Sequence, residues 1–282
     1  MTFERLRVRK TYKLYIGGAF PRSESGRSYP VTGRDGTTLA HAAQASRKDV
    51  RDAVVAARKA FAGWSRTTAY NRGQVLYRVA EMLDGRREQF AAEVAAAGDD
   101  PSTVDAAIDR WVWYAGWADK YAQVVGATNP VAGPYFNFSL PEPTGVVGVL
   151  APQESSLLGL VSVIAPVIVT GNAAVVVASE QRPLPAASLA EVLATSDLPG
   201  GVVNILTGRV AELAPWLASH RDVNALDLTG VAADARPSLQ RAAADNVKRV
   251  YLPREKDWAA DPGTRRLAAF VETKTVWHPI GV

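Results

Sequence analysis

The loop at residues 151–156 carries a carboxyl group and two hydroxyl groups between two long apolar runs. Ser155 and Ser156 could act as nucleophiles, and Glu154 could form an acid and base pair with Glu180. Neither serine lies in a Gly-x-Ser-x-Gly motif, and no histidine is close to them in the sequence. This context favours helix N-caps over nucleophiles. The acid and base pair stays an alternative, because the sequence does not give the separation of the two carboxyl groups.

Cysteine and histidine usage excludes several classes of site. The chain has no cysteine, which rules out disulfides, thiolate metal sites and a cysteine nucleophile. Its three histidines, His41, His220 and His278, are far apart in the sequence. Structural and catalytic zinc sites need cysteines or closely spaced histidines, so no metal site is predicted.

Composition indicates an ordinary globular protein. The chain has 282 residues, 48% of them hydrophobic, and a net charge of +4 spread along its length. The basic stretch Glu4–Lys10 alternates with apolar residues, which favours a half-exposed strand over a nucleic-acid arm. The apolar run Leu157–Thr170 is too short to cross a membrane, and no signal peptide is recognisable. We therefore expect a cytoplasmic protein with neither nucleic-acid nor membrane partners.

The second half of the chain alternates short apolar strands with helices. This pattern is typical of βαβ units and a buried parallel sheet, and it predicts an α/β, doubly wound, Rossmann-like fold. Strands are expected at 146–150, 173–177, 202–205, 223–228 and 249–252, and helices at 157–170, 185–195, 210–219 and 232–245.

The flanking regions follow other patterns. Residues 12–40 predict short strands, followed by helices from Asp49, as N-cap, to about residue 64, and at 69–97 and 102–123. Residues 134–150 predict a β-hairpin that turns at Pro141 and Pro143. Residues 253–269, rich in charge and proline, predict a linker, and a last strand is expected at 270–280.

Several segments, in order, resemble one family. KLYIGGAF (13–20), EPTGVVGVLAP (142–152), APVIVTGNAAVVVASEQRPL (165–184), DLPGGVVNILTG (197–208), ASHRDVNALDLTG (218–230), AAADNVKRVYL (242–252) and FVETKTVWHPIG (270–281) are similar to segments of the NAD(P)-dependent aldehyde dehydrogenases. The resemblance implies a nucleotide-binding domain at 1–133 and 146–252. It also implies oligomerisation strands in the hairpin 134–145 and at 270–282. Residues 253–269 then form a linker in place of the family's catalytic domain.

The resemblance also implies that the catalytic groups are missing. Aldehyde oxidation in the family uses a cysteine nucleophile, an asparagine that stabilises the oxyanion, and a glutamate base. The chain has no cysteine, Glu154 stands at the asparagine position and Pro253 at the base position. An ionised carboxylate cannot donate a hydrogen bond to an oxyanion, so no catalytic residue is predicted.

The cofactor site is only partly kept. The resemblance assigns Ser179, Glu180, Gly208, Thr229 and Gly230 to NAD binding. It also shows three replacements. Val177 stands at the position of the family's ribose-binding lysine, and Val231 stands at the position of its pyrophosphate-binding serine. The family's glycine-rich turn is replaced by Thr207-Gly208-Arg209-Val210. These replacements predict a dry, filled crevice and argue against NAD binding. The favoured interpretation is that Gly171, Asn172, Gly208 and Gly230 are kept for turns and helix ends.

Three functional hypotheses follow. The favoured one is a non-catalytic subunit that assembles with a full-length aldehyde dehydrogenase, as the cysteine-less second module of two-module family members suggests. Its exposed strand edges would then pair with the partner. The alternatives are an NAD-dependent aldehyde oxidoreductase in its own right and a dinucleotide-binding module.

Overall fold

The computed structural model describes residues 8–255 and 257–281. The expected strand over residues 4–10 falls largely outside these residues. The described chain begins with a small sheet of order β1-β3-β2, formed by β1 (Thr11–Tyr12), β2 (Ser28–Thr32) and β3 (Thr38–Ala43). Five helices follow: α1 (Arg47–Trp64), α2 (Ala69–Asp84), α3 (Arg87–Ala96), α4 (Thr103–Trp117) and α5 (Tyr121–Val125).

A parallel sheet of order β10-β9-β6-β7-β8 lies at the centre and confirms the predicted fold. It alternates with helices in the order β6 (Val146–Leu150), α6 (Leu158–Val169), β7 (Ala173–Val177), α7 (Leu184–Ala194), β8 (Val203–Leu206), α8 (Val210–Ser219), β9 (Ala225–Asp227), α9 (Arg236–Ala244) and β10 (Arg249–Tyr251). One face packs against α2, α4, α6 and α7, and the other against α1, α8 and α9. Burial on both faces explains why the central strands β6 and β7 are continuous apolar runs rather than alternating ones.

The start of α1 differs from the prediction. Ser46, not Asp49, is the N-cap, and its hydroxyl accepts from the Lys48 N–H. The Asp49 carboxylate reaches back to accept from the Ser46 N–H at 2.7 Å, which completes a capping box. Asp49 also accepts from the Ser23 hydroxyl, so it ties the helix to the preceding loop.

Two long helices predicted near the N-terminus are each divided in the structure. The helix expected at 69–97 breaks at Gly85 and Arg86, where Arg86 leaves the helical region at φ −118°, ψ 17°. Gly85 is the C-cap of α2, a position where glycine commonly ends a helix, and the Arg86 guanidinium ion-pairs with Glu191 of α7 at 2.7 Å. The helix expected at 102–123 likewise ends at Trp117, and α5 begins at Tyr121.

The predicted hairpin at 134–150 is wrong. Residues Tyr135–Pro143 form one strand, β5, which pairs with β4 (Ala127–Asn129) and with β11 (Val271–Pro279) in a separate sheet of order β11-β5-β4. Pro141 and Pro143 lie inside β5, beyond the residues that pair with β4. On the side of β5 that faces β4, these two positions therefore have no partner that would need an N–H donor. The turn into β6 is made instead by Gly145, at φ +135°.

The segment predicted as a linker, 253–269, is also not a loose connection. It contains a short helix, α10 (Arg265–Ala269), in which Arg266 and Leu267 are buried. The carbonyl of the next residue, Phe270, accepts from the Asn172 side chain at 2.8 Å. The segment therefore packs onto the parallel sheet before the chain enters β11.

Candidate functional site

A cavity of about 790 Å³ opens at the carboxyl ends of the parallel strands, where α/β folds commonly bind ligands. The prediction of a dry, filled crevice is therefore wrong. Valine replaces polar groups at Val177 and Val231, but the lining also includes small residues at the starts of α8 and α9, Ala211 and Ala235. The residues that line it include Gln153, Glu154, Glu180, Arg209, Thr229, Gly230, Arg236, Pro253, Glu255 and Trp258.

The loop after β6 contributes one exposed carboxylate to this cavity. Glu154 is exposed at the cavity, and its backbone carbonyl accepts from the Arg182 guanidinium at 2.8 Å. The N-cap of α6 is Leu157 rather than either serine, but the Ser155 hydroxyl accepts from the Gly159 N–H in the first turn at 2.9 Å. The buried Ser156 contributes its N–H to Asp99 at 2.8 Å. The described contacts of both serines include no histidine, so they give no support to a nucleophile.

Gln153 joins the loops after β6 and β7, a role that sequence reasoning missed. Its carbonyl accepts from the Ser179 hydroxyl at 3.0 Å, and its side-chain oxygen accepts from the Glu180 N–H at 2.9 Å. Ser179 is buried and does not line the cavity. Gln153 lies three residues after the buried strand β6, and this position at the end of a strand is the signal that could have indicated its role.

Glu180 is bound to the N-terminus of α8. Its carboxylate accepts from the Val210 N–H at 3.0 Å and lies 3.5 Å from the Arg209 guanidinium. A helix N-terminus favours a negative charge, and here the protein supplies that charge itself. Glu154 and Glu180 line the same cavity, but Glu180 is already engaged by these two donors. The acid and base pair therefore gains no support.

The two glycines assigned to the cofactor have packing reasons to be glycine. Gly208 has φ +148°, a conformation that residues with a side chain rarely adopt. A Cβ added at Gly230 would lie 1.8 Å from the Ala151 carbonyl oxygen, and the Gly230 N–H donates to Leu150 at 2.8 Å. Gly230 thus lets the turn after β9 approach the end of β6. These contacts account for both glycines without a cofactor.

A buried charged cluster lies beside Thr229 and Glu255 in the cavity wall. Arg266 has 3% of its side chain exposed and ion-pairs with Asp227, which is fully buried. Its guanidinium also donates to Glu255 and to Thr229, each at 3.0 Å. Sequence reasoning missed this cluster, because Asp227 reads as a strand residue and Arg266 falls in the predicted linker.

The pKa shifts in this cluster keep Arg266 and Glu255 charged. Burial lowers the pKa of Arg266, but the carboxylates of Asp227 and Glu255 outweigh it and leave the pKa raised. Burial likewise raises the pKa of Glu255, while Arg266 and the Tyr251 hydroxyl lower it by a larger amount. Burial, chiefly, raises the pKa of Tyr251 to about 12, so its hydroxyl stays protonated and donates to Glu255.

The described residues offer little else for chemistry. Within 8–255 and 257–281 there is no group of three or more histidine, aspartate or glutamate side chains that could hold a metal ion. No helix in the same ranges is long and apolar enough to cross a membrane.

Comparison with known proteins gives one consistent result. The model of the aldehyde dehydrogenase family matches residues 22–253. Aldehyde dehydrogenase family 2 member B4 of Arabidopsis thaliana is 35% identical over 85% of this chain and 46% of its own length. Human retinal dehydrogenase 2 is 33% identical over 86% of this chain and 48% of its own length. The chain therefore spans about half the length of these curated relatives.

Solved structures agree with the sequence matches. The NAD⁺ complex of aldehyde dehydrogenase from Bacillus cereus superposes with a TM-score of 0.80 at 27% identity, covering 85% of this chain and 50% of that one. HpcC from Thermus thermophilus gives a TM-score of 0.81 at 31% identity, with 85% and 47% covered. On this evidence, the chain belongs to the aldehyde dehydrogenase family.

Proposed function

We propose that this chain is a non-catalytic aldehyde dehydrogenase family subunit that assembles with a full-length NAD(P)-dependent aldehyde dehydrogenase. The absence of cysteine supports the first part, because no thiolate is present to attack an aldehyde. The exposed carboxylate of Glu154, in the loop that resembles the family's oxyanion loop, would repel a developing oxyanion. We further propose a cytoplasmic location and NAD(P) as a cofactor of the partner rather than of this chain.

The outer edge of β11 carries the proposal of assembly. β11 is the outermost strand of its sheet, and within the described residues its second edge has no paired strand. Large apolar side chains stand exposed along it, with Trp277 58% and Ile280 50% exposed, and Tyr135 of β5 packs against the Trp277 ring. An open edge strand that exposes large apolar side chains readily accepts a strand from another chain. In our proposal that strand comes from the full-length partner.

Affinity capture tests this assembly directly. The tagged chain is recovered from its own cells, and the mass of the intact complex is measured by native mass spectrometry. We expect a full-length aldehyde dehydrogenase in fixed ratio, and we expect Trp277→Ser to lose it. Trp216→Ser is the matched control, since Trp216 is 40% exposed but lies on α8. Recovery of the chain alone would contradict the proposal.

The open cavity favours a second candidate, a module that binds a nucleotide-sized ligand such as NAD or NADP. Its volume suits such a ligand, whereas the carboxylate of Glu180 at the start of α8 opposes a phosphate there. Calorimetry with NAD and with NADP decides this, and no heat at millimolar cofactor would remove the candidate. Aldehyde-dependent NADH formation by the pure chain would instead restore an enzymatic role.

A further inference from the structure

A groove of about 480 Å³ runs along the outer edge of the parallel sheet, on the side of β10. Arg249, Arg254 and Arg265 line it, together with the backbone of β10 and two alanines of α10. No described acidic side chain lines it. The groove therefore combines a strand edge with three guanidinium groups, of which that of Arg249 is already bound to Glu272.

The edge of β10 leaves backbone groups free for a further strand. β10 is an outermost strand of the sheet, with β9 on its only described paired side. The Arg249 N–H donates to Asn224 at 3.1 Å and the Tyr251 carbonyl accepts from Leu228 at 3.0 Å, so both residues face β9. Because successive residues of a strand present their backbone groups to opposite sides, Val250 presents its N–H and carbonyl to the groove.

Arg249 shows that this groove can hold a carboxylate. Its guanidinium binds Glu272 of β11 through two parallel hydrogen bonds of 2.6 and 2.5 Å. Arg254 and Arg265 are exposed, and neither forms an ion pair with any residue that the structure describes. Arg265 is held in place by the Tyr251 ring, 5.6 Å from its guanidinium carbon. Two guanidinium groups beside the open edge are thus available to acidic side chains.

We propose that this groove binds an extended, acidic polypeptide segment of a partner protein. The segment adds as a strand to β10 through Val250, and its carboxylates pair with Arg254 and Arg265. An extended polypeptide can satisfy both the strand edge and the guanidinium groups, whereas a nucleic acid would satisfy only the latter. The inference goes beyond the proposed function, since it concerns a different strand from β11 and holds whether or not a full-length dehydrogenase is the partner.

A model peptide tests the groove on the intact chain. The probe is a fluorescent, end-capped peptide of about eight residues in which glutamate alternates with valine. We expect saturable binding with protection of the Val250 amide from hydrogen exchange. We also expect loss of binding when the peptide is N-methylated at alternate positions. Protection of β11 amides instead, or equal binding of single-stranded DNA of the same net charge, would overturn the inference.

Paired variants separate the charge from the fold. Arg254→Gln combined with Arg265→Gln should weaken peptide binding by about tenfold at low salt, since each exposed charge pair contributes little by itself. Arg34→Gln combined with Arg66→Gln removes two exposed arginines elsewhere and should leave affinity unchanged. A glutamine and valine peptide should bind the unaltered chain as weakly as the acidic peptide binds the double variant. Equal affinity of the two double variants would refute the assignment.

Discussion

Two arginine and carboxylate clusters contribute to the same cavity wall, and they differ sharply in burial. Glu180 and Arg209, at the start of α8, have side chains 24% and 49% exposed and lie 3.5 Å apart. Asp227 and Arg266 are 0% and 3% exposed, and Arg266 makes further bonds to Glu255 and Thr229. The first cluster is screened by solvent, whereas the second is enclosed within the fold.

The difference shows which part of the cavity is fixed by folding. Removing one partner of a buried ion pair leaves an uncompensated charge. The pairing of Arg266 with Asp227 therefore fixes the segment 253–270 against the parallel sheet. An exposed pair contributes little, so the wall near Glu180 can change at small cost. The region that reads as a linker is thus a structural part of the domain. The region that reads as a cofactor site is the more adaptable of the two.

The largest expected effect comes from breaking the buried pair. Arg266→Met should lower the free energy of unfolding by about 3–5 kcal/mol, because Asp227 is left charged and buried. Urea denaturation followed by circular dichroism measures this. Arg265→Met is the matched control, an exposed arginine one residue away, and should change stability by less than about 0.5 kcal/mol.

A double variant checks the physical reason. If the loss comes from the unpaired charge, Asp227→Leu combined with Arg266→Met should be more stable than Arg266→Met alone. Equal loss in the single and double variants would indicate that packing, not charge, holds the segment in place.

The turn after β9, next to the buried cluster, should be the next most sensitive position. Gly230→Ala places a methyl group against the Ala151 carbonyl and should cost about 2–3 kcal/mol. Gly116→Ala is the control, because nothing lies within 4 Å of a Cβ there and alanine favours the helix. A Gly230→Ala chain as stable as the original, measured by thermal unfolding, would show that the turn is not tightly packed.

A smaller effect should appear as a dependence of stability on pH. The pKa of Glu255 is below its ordinary value of 4.5 in the folded chain, because Arg266 and Tyr251 outweigh its burial. Stability from this group is therefore present above about pH 4.5 and is lost as the pH falls through the folded pKa. Glu255→Gln should remove about 1 kcal/mol of this acid-sensitive stability, measured by urea titrations between about pH 6 and 3. The exposed Glu154→Gln should leave the pH dependence unchanged, and an unchanged pH profile in Glu255→Gln would contradict the prediction.

The parallel sheet could be predicted from the sequence because its signals are local. Strands such as Val146–Leu150 and Ala173–Val177 are uninterrupted apolar runs, and the structure places both within the same bounds. The break at Arg86 has a local signal that the prediction passed over, since Gly85 is the C-cap of α2 and glycine commonly ends a helix. The hairpin prediction failed because of a non-local contact. Proline is tolerated inside β5 because β4 ends before Pro141 and Pro143, and the sequence does not show where a neighbouring strand ends.

The candidate site shows the same limit. The positions of Glu154, Glu180 and Gly230 could be found by resemblance, and the structure brings all three to one cavity. The volume of that cavity could not be predicted, because its lining brings together residues that are far apart in the chain, such as Gln153, Arg209 and Trp258. The Asp227 and Arg266 pair joins residues far apart in the chain, and neither residue type nor local pattern marks the two as partners.

The smallest expected effect concerns the exposed cluster and sharpens the comparison. Glu180→Ala removes the charge at the N-terminus of α8 and should cost only about 0.5–1 kcal/mol of stability. Glu154→Ala is the control, an exposed carboxylate of the same cavity, and should be neutral within about 0.5 kcal/mol. If Glu180 fills the place of a phosphate, its removal should also free the Val210 N–H and Arg209 for an anion, so calorimetry should show tighter binding of inorganic pyrophosphate by Glu180→Ala than by Glu154→Ala. Equal affinity in the two variants would mean that the Glu180 carboxylate serves the helix alone and does not exclude a phosphate from the cavity.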